Sequence, residues 1–153
     1  MTRTITRALL PTLLLADADP DRCEMFRDAL LEGSGPIDLQ RVSDGEEMLD
    51  YLRGHGDHAD QPRPALLVVD VDPPGAAGAD AVRAVKEDPA LRHIPLVALT
   101  ARADPAAVRA AYDAGANTVL PKPVTFLALV KLMKVFTAYW LDTAVLPPER
   151  DAG

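Results

Sequence analysis

Cysteine is almost missing from this chain. Cys23 is the only one in 153 residues, which excludes an intrachain disulfide and any multi-cysteine metal site. It falls in an amphipathic helical stretch, where a small core-facing thiol is the expected role. An excess of basic residues is also missing. The formal net charge is -7 and the 16 Lys and Arg are scattered, so the chain lacks the clustered cations of a nucleic-acid surface. Its acidic balance suits a cation or a basic partner. No apolar run reaches transmembrane length, and there is no internal repeat or low-complexity segment. What is present is ordinary for one globular domain with a sizeable core: 48% hydrophobic and 25% charged residues. The opening "MTRTITRALLPTLLLADA" has the arginines, apolar run and A-x-A of a secretory leader. Pro11 interrupts that run, and a first buried strand is the preferred reading, which implies a cytoplasmic protein.

Apolar runs alternate with segments of helical period. Strands are expected at 12–16, 37–42, 65–70, 95–99 and 117–120, and helices at 20–32, 44–54, 79–87, 105–114 and 124–141. Ser43 with Glu46 reads as a capping box, and Asp104-Pro105 as a cap followed by proline at the first helical position. Gly33, Gly115 and Pro89 mark helix ends, and Pro-Pro-Gly at 73–75 marks a turn. Five strands alternating with five helices predict a doubly wound α/β protein with a parallel sheet. The runs at 65–70 and 95–99 are apolar throughout, as in strands buried on both faces. The polar stretch 53–64 reads as a loop. His55 and His58 within it lack further ligands nearby, so a solvated loop is expected rather than a metal site.

Chemistry-bearing residues gather at the carboxyl ends of these strands. Asp17 and Asp19 follow the first, Asp70 and Asp72 the third, Thr100 the fourth, and Lys122 the fifth. Open parallel sheets bind ligands at that edge, where the strand order reverses. In a 2-1-3-4-5 order the reversal falls between strands one and three, beside Asp17 and Asp70. Carboxylates brought together there repel one another unless a hard cation lies among them, and Mg2+ suits such oxygen donors. Each residue taken singly is an ordinary cap or turn former; together they form a set on one edge.

The segments "LLLADADPDRCEMF", "VSDGEEMLDYLRG", "LLVVDVDPPGAAG", "VKEDPALRHIPLVALTA" and "AYDAGANTVLPKPV" resemble a response-regulator receiver domain of bacterial two-component signalling, a flavodoxin-like (CheY-like) fold. The resemblance implies that Asp70 accepts a phosphoryl group from a sensor histidine kinase. Thr100 would be the switch hydroxyl and Lys122 the lysine that pairs with the phosphoryl group. Asp17, Asp70 and the backbone carbonyl of Asp72 would hold Mg2+, with Asp19 a further candidate if it turns inward. Such a protein is a phosphoacceptor and not an enzyme in its own right. The chain departs from the family at Ala18, where a second acid is usual, at Val119, where an aromatic is usual, and at Pro121.

The expected organisation is an N-terminal segment over 1–11, a receiver domain over 12–142 and an extended tail over 143–153, with no DNA-binding output domain. The last helix carries a core stripe of Phe126, Leu129, Val130, Met133, Phe136 and Trp140, and a second apolar row of Leu132, Val135 and Tyr139. That row predicts a homodimer through the helix and tail. The ending "YWLDTAVLPP" resembles single-domain receivers that partner bacterial phytochrome kinases. Three functions are weighed. First is a freestanding phosphoryl-accepting switch or relay, with no nucleic-acid or membrane partner. Second is a phosphate-independent pseudo-receiver, which Ala18 and Val119 favour. Third is a haloacid-dehalogenase-type phosphatase, disfavoured because two strand–helix units precede the Asp-x-Asp.

Overall fold

A computed structural model describes residues 10–33, 36–72, 76–101 and 105–148. The apolar runs form five parallel strands: β1 (Thr12–Ala16), β2 (Asp38–Val42), β3 (Leu66–Asp70), β4 (Leu96–Thr100) and β5 (Thr118–Pro121), in the order β2-β1-β3-β4-β5. This is the predicted doubly wound order. β1, β3 and β4 are interior and apolar on both faces. β2 and β5 are the edges. They carry the polar residues and Pro121, which only an edge tolerates.

Side chains alternate across the sheet with period two. Leu14, Ala16, Leu67, Val69, Leu96 and Ala98 face one core, covered by helices α2 (Gly45–Arg53), α3 (Ala76–Glu87) and α4 (Pro105–Asp113). Leu13, Leu15, Leu66, Val68, Val97 and Leu99 face the other, covered by α1 (Pro20–Gly33) and α5 (Phe126–Thr137). Cys23 is buried in this second core, and burial pushes its thiol pKa up, as an inert packing residue requires.

Helix ends refine the expectations. The capping residue of α2 is Asp44, one position later than the predicted Ser43–Glu46 box. The extended backbone of Asp44 lets its carboxylate accept the Glu47 N–H at 2.9 Å, while Glu47 reaches back to the Ser43 N–H and hydroxyl. The C-cap residue Gly54 has φ 68°, which glycine adopts without strain. α3 begins three residues earlier than expected, at Ala76. α5 begins after a Thr125 cap whose hydroxyl accepts the Ala128 N–H. The turn at 73–75 and the predicted cap Asp104 lie outside the described residues.

The stretch 53–64 contains a 3-10 turn, Gly56–His58. Tyr51 anchors it by donating its hydroxyl to the Pro62 carbonyl at 2.7 Å and packing against the His58 ring. His55 lies beside Asp50. Beyond α5 the chain continues in a π turn, Ala138–Thr143. The α5 core stripe is as predicted, with Leu129, Val130, Met133 and Phe136 buried and Phe126 and Trp140 at its margin. Leu132 is a correction: it is half-buried against that same core. It stands three residues after Leu129 and four before Phe136, so helical geometry assigns it to the core stripe. The exposed row is instead Leu127 (65% exposed), Val135 (69%) and Tyr139 (55%). Pro147 and Pro148 of the tail line a cavity of about 470 Å³ with Pro11, Pro62, Pro64 and Pro95 of their own chain. Among the described residues no helix is long and apolar enough to cross a membrane.

Candidate functional site

The parallel register brings the polar strand ends together. β1 pairs with β3 up to Ala16 opposite Val69, so Asp17 and Asp70 come next on neighbouring strands. β4 pairs with β5 up to Thr100 opposite Pro121. The Lys122 N–H continues that ladder by donating to the Thr100 carbonyl at 2.9 Å, which anchors the lysine despite the proline before it.

Asp70 ends the central strand with its carboxylate nearly buried. Lys122 Nζ lies 2.7 Å from Oδ1, and the Asp72 N–H donates to the same oxygen at 2.9 Å. The resemblance assigns Asp72 only a backbone carbonyl, but its side chain also belongs to the site. In the structure its Oδ1 accepts the Thr100 hydroxyl at 2.8 Å. Its Oδ2 accepts the Ala101 N–H at 2.7 Å and lies 3.2 Å from Lys122 Nζ. Burial raises the pKa of this carboxyl, but the Ala101 N–H, Thr100 and Lys122 outweigh it and hold the group below its ordinary value.

Asp17 is fully buried. Its Oδ2 lies 2.9 Å from Nε of Arg22, and its Oδ1 accepts the Asp19 N–H at 2.9 Å. Asp19 does not turn inward: its carboxylate caps α1 by accepting the Asp21 N–H. Arg41 reaches across from β2 and donates to the carbonyls of Asp17 and Ala18 at 3.1 Å each, fixing the loop where the second acid is missing. Gly78 is buried under the same edge. A Cβ there would stand 2.6 Å from Cα of Val71 and 3.0 Å from the Asp70 carbonyl, so only glycine lets α3 approach this closely. Val119, at the family's aromatic position, is half-buried against the core, and its N–H donates to the Tyr112 hydroxyl at 3.3 Å.

Arg22, Arg41, Gly78, Ala101 and the Asp72 carboxylate are thus additions to the predicted set. None of them carries a local signal: a glycine near a helix start is an ordinary cap candidate, and the close approach at Gly78 shows only in the fold. The donor chemistry fits a hard cation, because Asp17, Asp70 and the Asp72 carbonyl offer oxygen alone. Among the described residues no group of three or more His, Cys, Asp or Glu is gathered to hold a metal. Water and phosphoryl oxygens would have to complete any shell. Arg22 competes for Asp17.

An open parallel sheet with acids, a hydroxyl and a lysine along its carboxyl edge is an α/β module of the flavodoxin-like class. The sequence matches the response regulator receiver domain family over residues 13–134, and the chain belongs to that family. It is similar to the response regulator Rcp1 of Synechocystis, 28% identical over 135 residues, covering 88% of this chain and 91% of that one. A Mn(2+)-bound form of Rcp1 superimposes with a TM-score of 0.80 at 26% identity, over 90% of this chain and 99% of that one. A response regulator in red light signaling of R. palustris superimposes with a TM-score of 0.85 at 31% identity, over 92% of this chain and 100% of that one. The phosphorylated cyanobacterial phytochrome response regulator RcpA gives 0.82 at 28% identity, over 91% and 99%. Membership leaves no place for the phosphatase alternative.

Proposed function

We propose that Asp70 accepts a phosphoryl group from the phosphohistidine of a sensor kinase and that the chain acts as a freestanding switch or relay. The observation that carries this reading is Lys122 Nζ at 2.7 Å from the Asp70 carboxylate at the end of the central strand. Lys122 and the Asp72 N–H hold Oδ1, so Oδ2 is the oxygen presented to phosphorus. In the transfer an Asp70–phosphorus bond forms and the phosphorus–nitrogen bond of the donor breaks. The electron pair leaves with the imidazole nitrogen, which takes up a proton. The ammonium offsets the charge of the transferring group. Asp17, Asp70 and the Asp72 carbonyl would hold Mg2+, which would supply further positive charge. The Thr100 hydroxyl then has a new anion to bind, the differential contact that a switch requires.

The chain takes the group rather than turning over a substrate, so it is a phosphoacceptor and not a free-standing enzyme. The kinase is a bacterial phytochrome, supported by the red light and phytochrome functions of the similar proteins above. The protein is cytoplasmic and forms a homodimer through α5. To Ala18 and Val119, which favour the pseudo-receiver reading, the structure adds the Arg22 guanidinium on Asp17. Incubation with acetyl phosphate and Mg2+, followed by intact-mass measurement, separates the two. One added phosphoryl group is expected, and Asp70→Asn abolishes it. Label retained in that variant, or none in the natural protein, defeats the proposal.

A further inference from the structure

We infer that the Asp72 carboxylate is a built-in occupant of the phosphoryl-binding donors, an autoinhibitory contact that an incoming phosphoryl group must displace. The inference rests on Asp70 as the acceptor.

Three donors converge on this one side chain: the Thr100 hydroxyl, the Ala101 N–H and the Lys122 ammonium. They come from the end of β4, the residue after it, and the residue after β5, so the fold and not local sequence assembles them. A hydroxyl, a backbone N–H and an ammonium aimed at one point are the donors that a phosphoryl group needs. Here they are already satisfied by an anion covalently part of the chain.

The exclusivity follows from the donors themselves. A hydroxyl has one proton to give and a backbone N–H has one. Thr100 and Ala101 therefore serve either Asp72 or a phosphoryl oxygen. Lys122 has three protons and already spans both carboxylates, at 2.7 Å from Asp70 and 3.2 Å from Asp72. It can retain Asp70 while the other two donors change partner. The backbone N–H of Asp72 is tied to Asp70, so the carboxylate can leave by rotating about its own side-chain bonds without breaking that turn. Charge works in the same direction. A phosphoryl group on Asp70 and a carboxylate on the same donors repel each other, and the cost falls on the phosphorylated state.

The test uses the full chain with acetyl phosphate and Mg2+, comparing labelling rates of the natural protein, Asp72→Asn and Asp72→Ala by intact mass. Hydrogen bonds to a charged group each contribute enough that losing this occupant should accelerate labelling about tenfold. The expected order is Asp72→Ala fastest, then Asp72→Asn, then the natural protein, with all label lost on adding Asp70→Asn. Rates in both variants equal to or below the natural protein, with label still dependent on Asp70, overturn the inference and spare the acceptor. Label independent of Asp70 overturns the acceptor and the inference with it. A second readout does not need phosphorylation. The Ala101 amide proton should resonate downfield in the natural protein, move upfield in Asp72→Ala, and return downfield on adding beryllofluoride with Mg2+. An Ala101 resonance unmoved by Asp72→Ala shows that the contact is not made, and overturns the inference directly.

Discussion

Arg22 stands in the first turn of α1 and puts its guanidinium on the carboxylate that a cation would use. Ala18 has already removed one negative charge from this pocket. The two features act together, since a cation must attract a smaller charge and also displace a bound arginine. The arginine side chain is 44% exposed, so solvent screens the pair and its strength is modest, roughly 1 kcal/mol. Arg22→Ala is therefore expected to tighten Mg2+ binding about fivefold. Ala18→Asp should tighten it as well, and the double substitution most of all. Calorimetric titration of the four proteins checks this. Equal affinities in the natural protein and Arg22→Ala would show that the guanidinium moves aside without cost. Nothing in the sequence around Arg22 marks this role. An arginine in the first turn of a helix is usually a solvated residue, and only the three-dimensional placement of Asp17 makes it a competitor.

At the scale of elements, the alternation of apolar runs with helical periods locates every strand to within one residue, and the interior strands β3 and β4 are the clearest because burial on two sides demands nearly unbroken apolar runs. Helix starts were less legible. Ser43 and Asp44 are both good caps, and only the backbone direction after β2 selects Asp44. The side-chain bonds at the sheet edge were not legible at all, since Asp72 and Thr100 lie 28 residues apart and meet through strand register. Tyr51 is a similar case. It ends up buried in α2 with its hydroxyl on the Pro62 carbonyl, tying the helix to the connection before β3. Burial, with the charge of Asp38 adding and that of Arg63 opposing, pushes its pKa up from 10.0 to about 12. The folded state thus holds the proton more tightly than the unfolded chain does. The stability this contributes is fully present below the unfolded value and is lost as pH rises through about 12. Denaturant unfolding between pH 9 and about 12 should show that decline, and Tyr51→Phe should lack this part of it. Parallel curves for the two proteins would place the alkaline loss elsewhere.

At the scale of the whole molecule, the sheet is closed on both faces by helices, yet α5 still turns Leu127 and Val135 outward, and the π turn that continues it adds Tyr139, with Lys131 between Leu127 and Val135. Singly, exposed apolar residues are common. At positions 127, 135 and 139, with Lys131 completing the four-residue spacing, they form a stripe that water covers at a cost. A two-fold copy of α5 would present the same stripe to itself, giving a closed, self-complementary contact. Six side chains from two protomers, each contributing roughly 1.5–3 kcal/mol when fully buried, only modestly exceed an association cost of about 4–15 kcal/mol. The expected dimer is therefore weak, about millimolar at the middle of these ranges, and the alkyl stem of Lys131 must lie flat across the seam with its ammonium in solvent. Tail residues Pro147 and Pro148 line a cavity of their own chain, so the helix has to supply most of the interface. Sedimentation velocity across a concentration series reaching about millimolar is expected to show a monomer–dimer equilibrium. Val135→Glu together with Tyr139→Glu should shift it to monomer by at least tenfold in dissociation constant, because the two-fold axis sets like charges against each other in a dry seam. Leu132→Ala serves as the contrast. It should lower stability through the core that Leu132 packs against while leaving the concentration dependence of the folded protein nearly unchanged. A natural protein that stays monomeric both before and after labelling with acetyl phosphate would assign the stripe to the kinase instead.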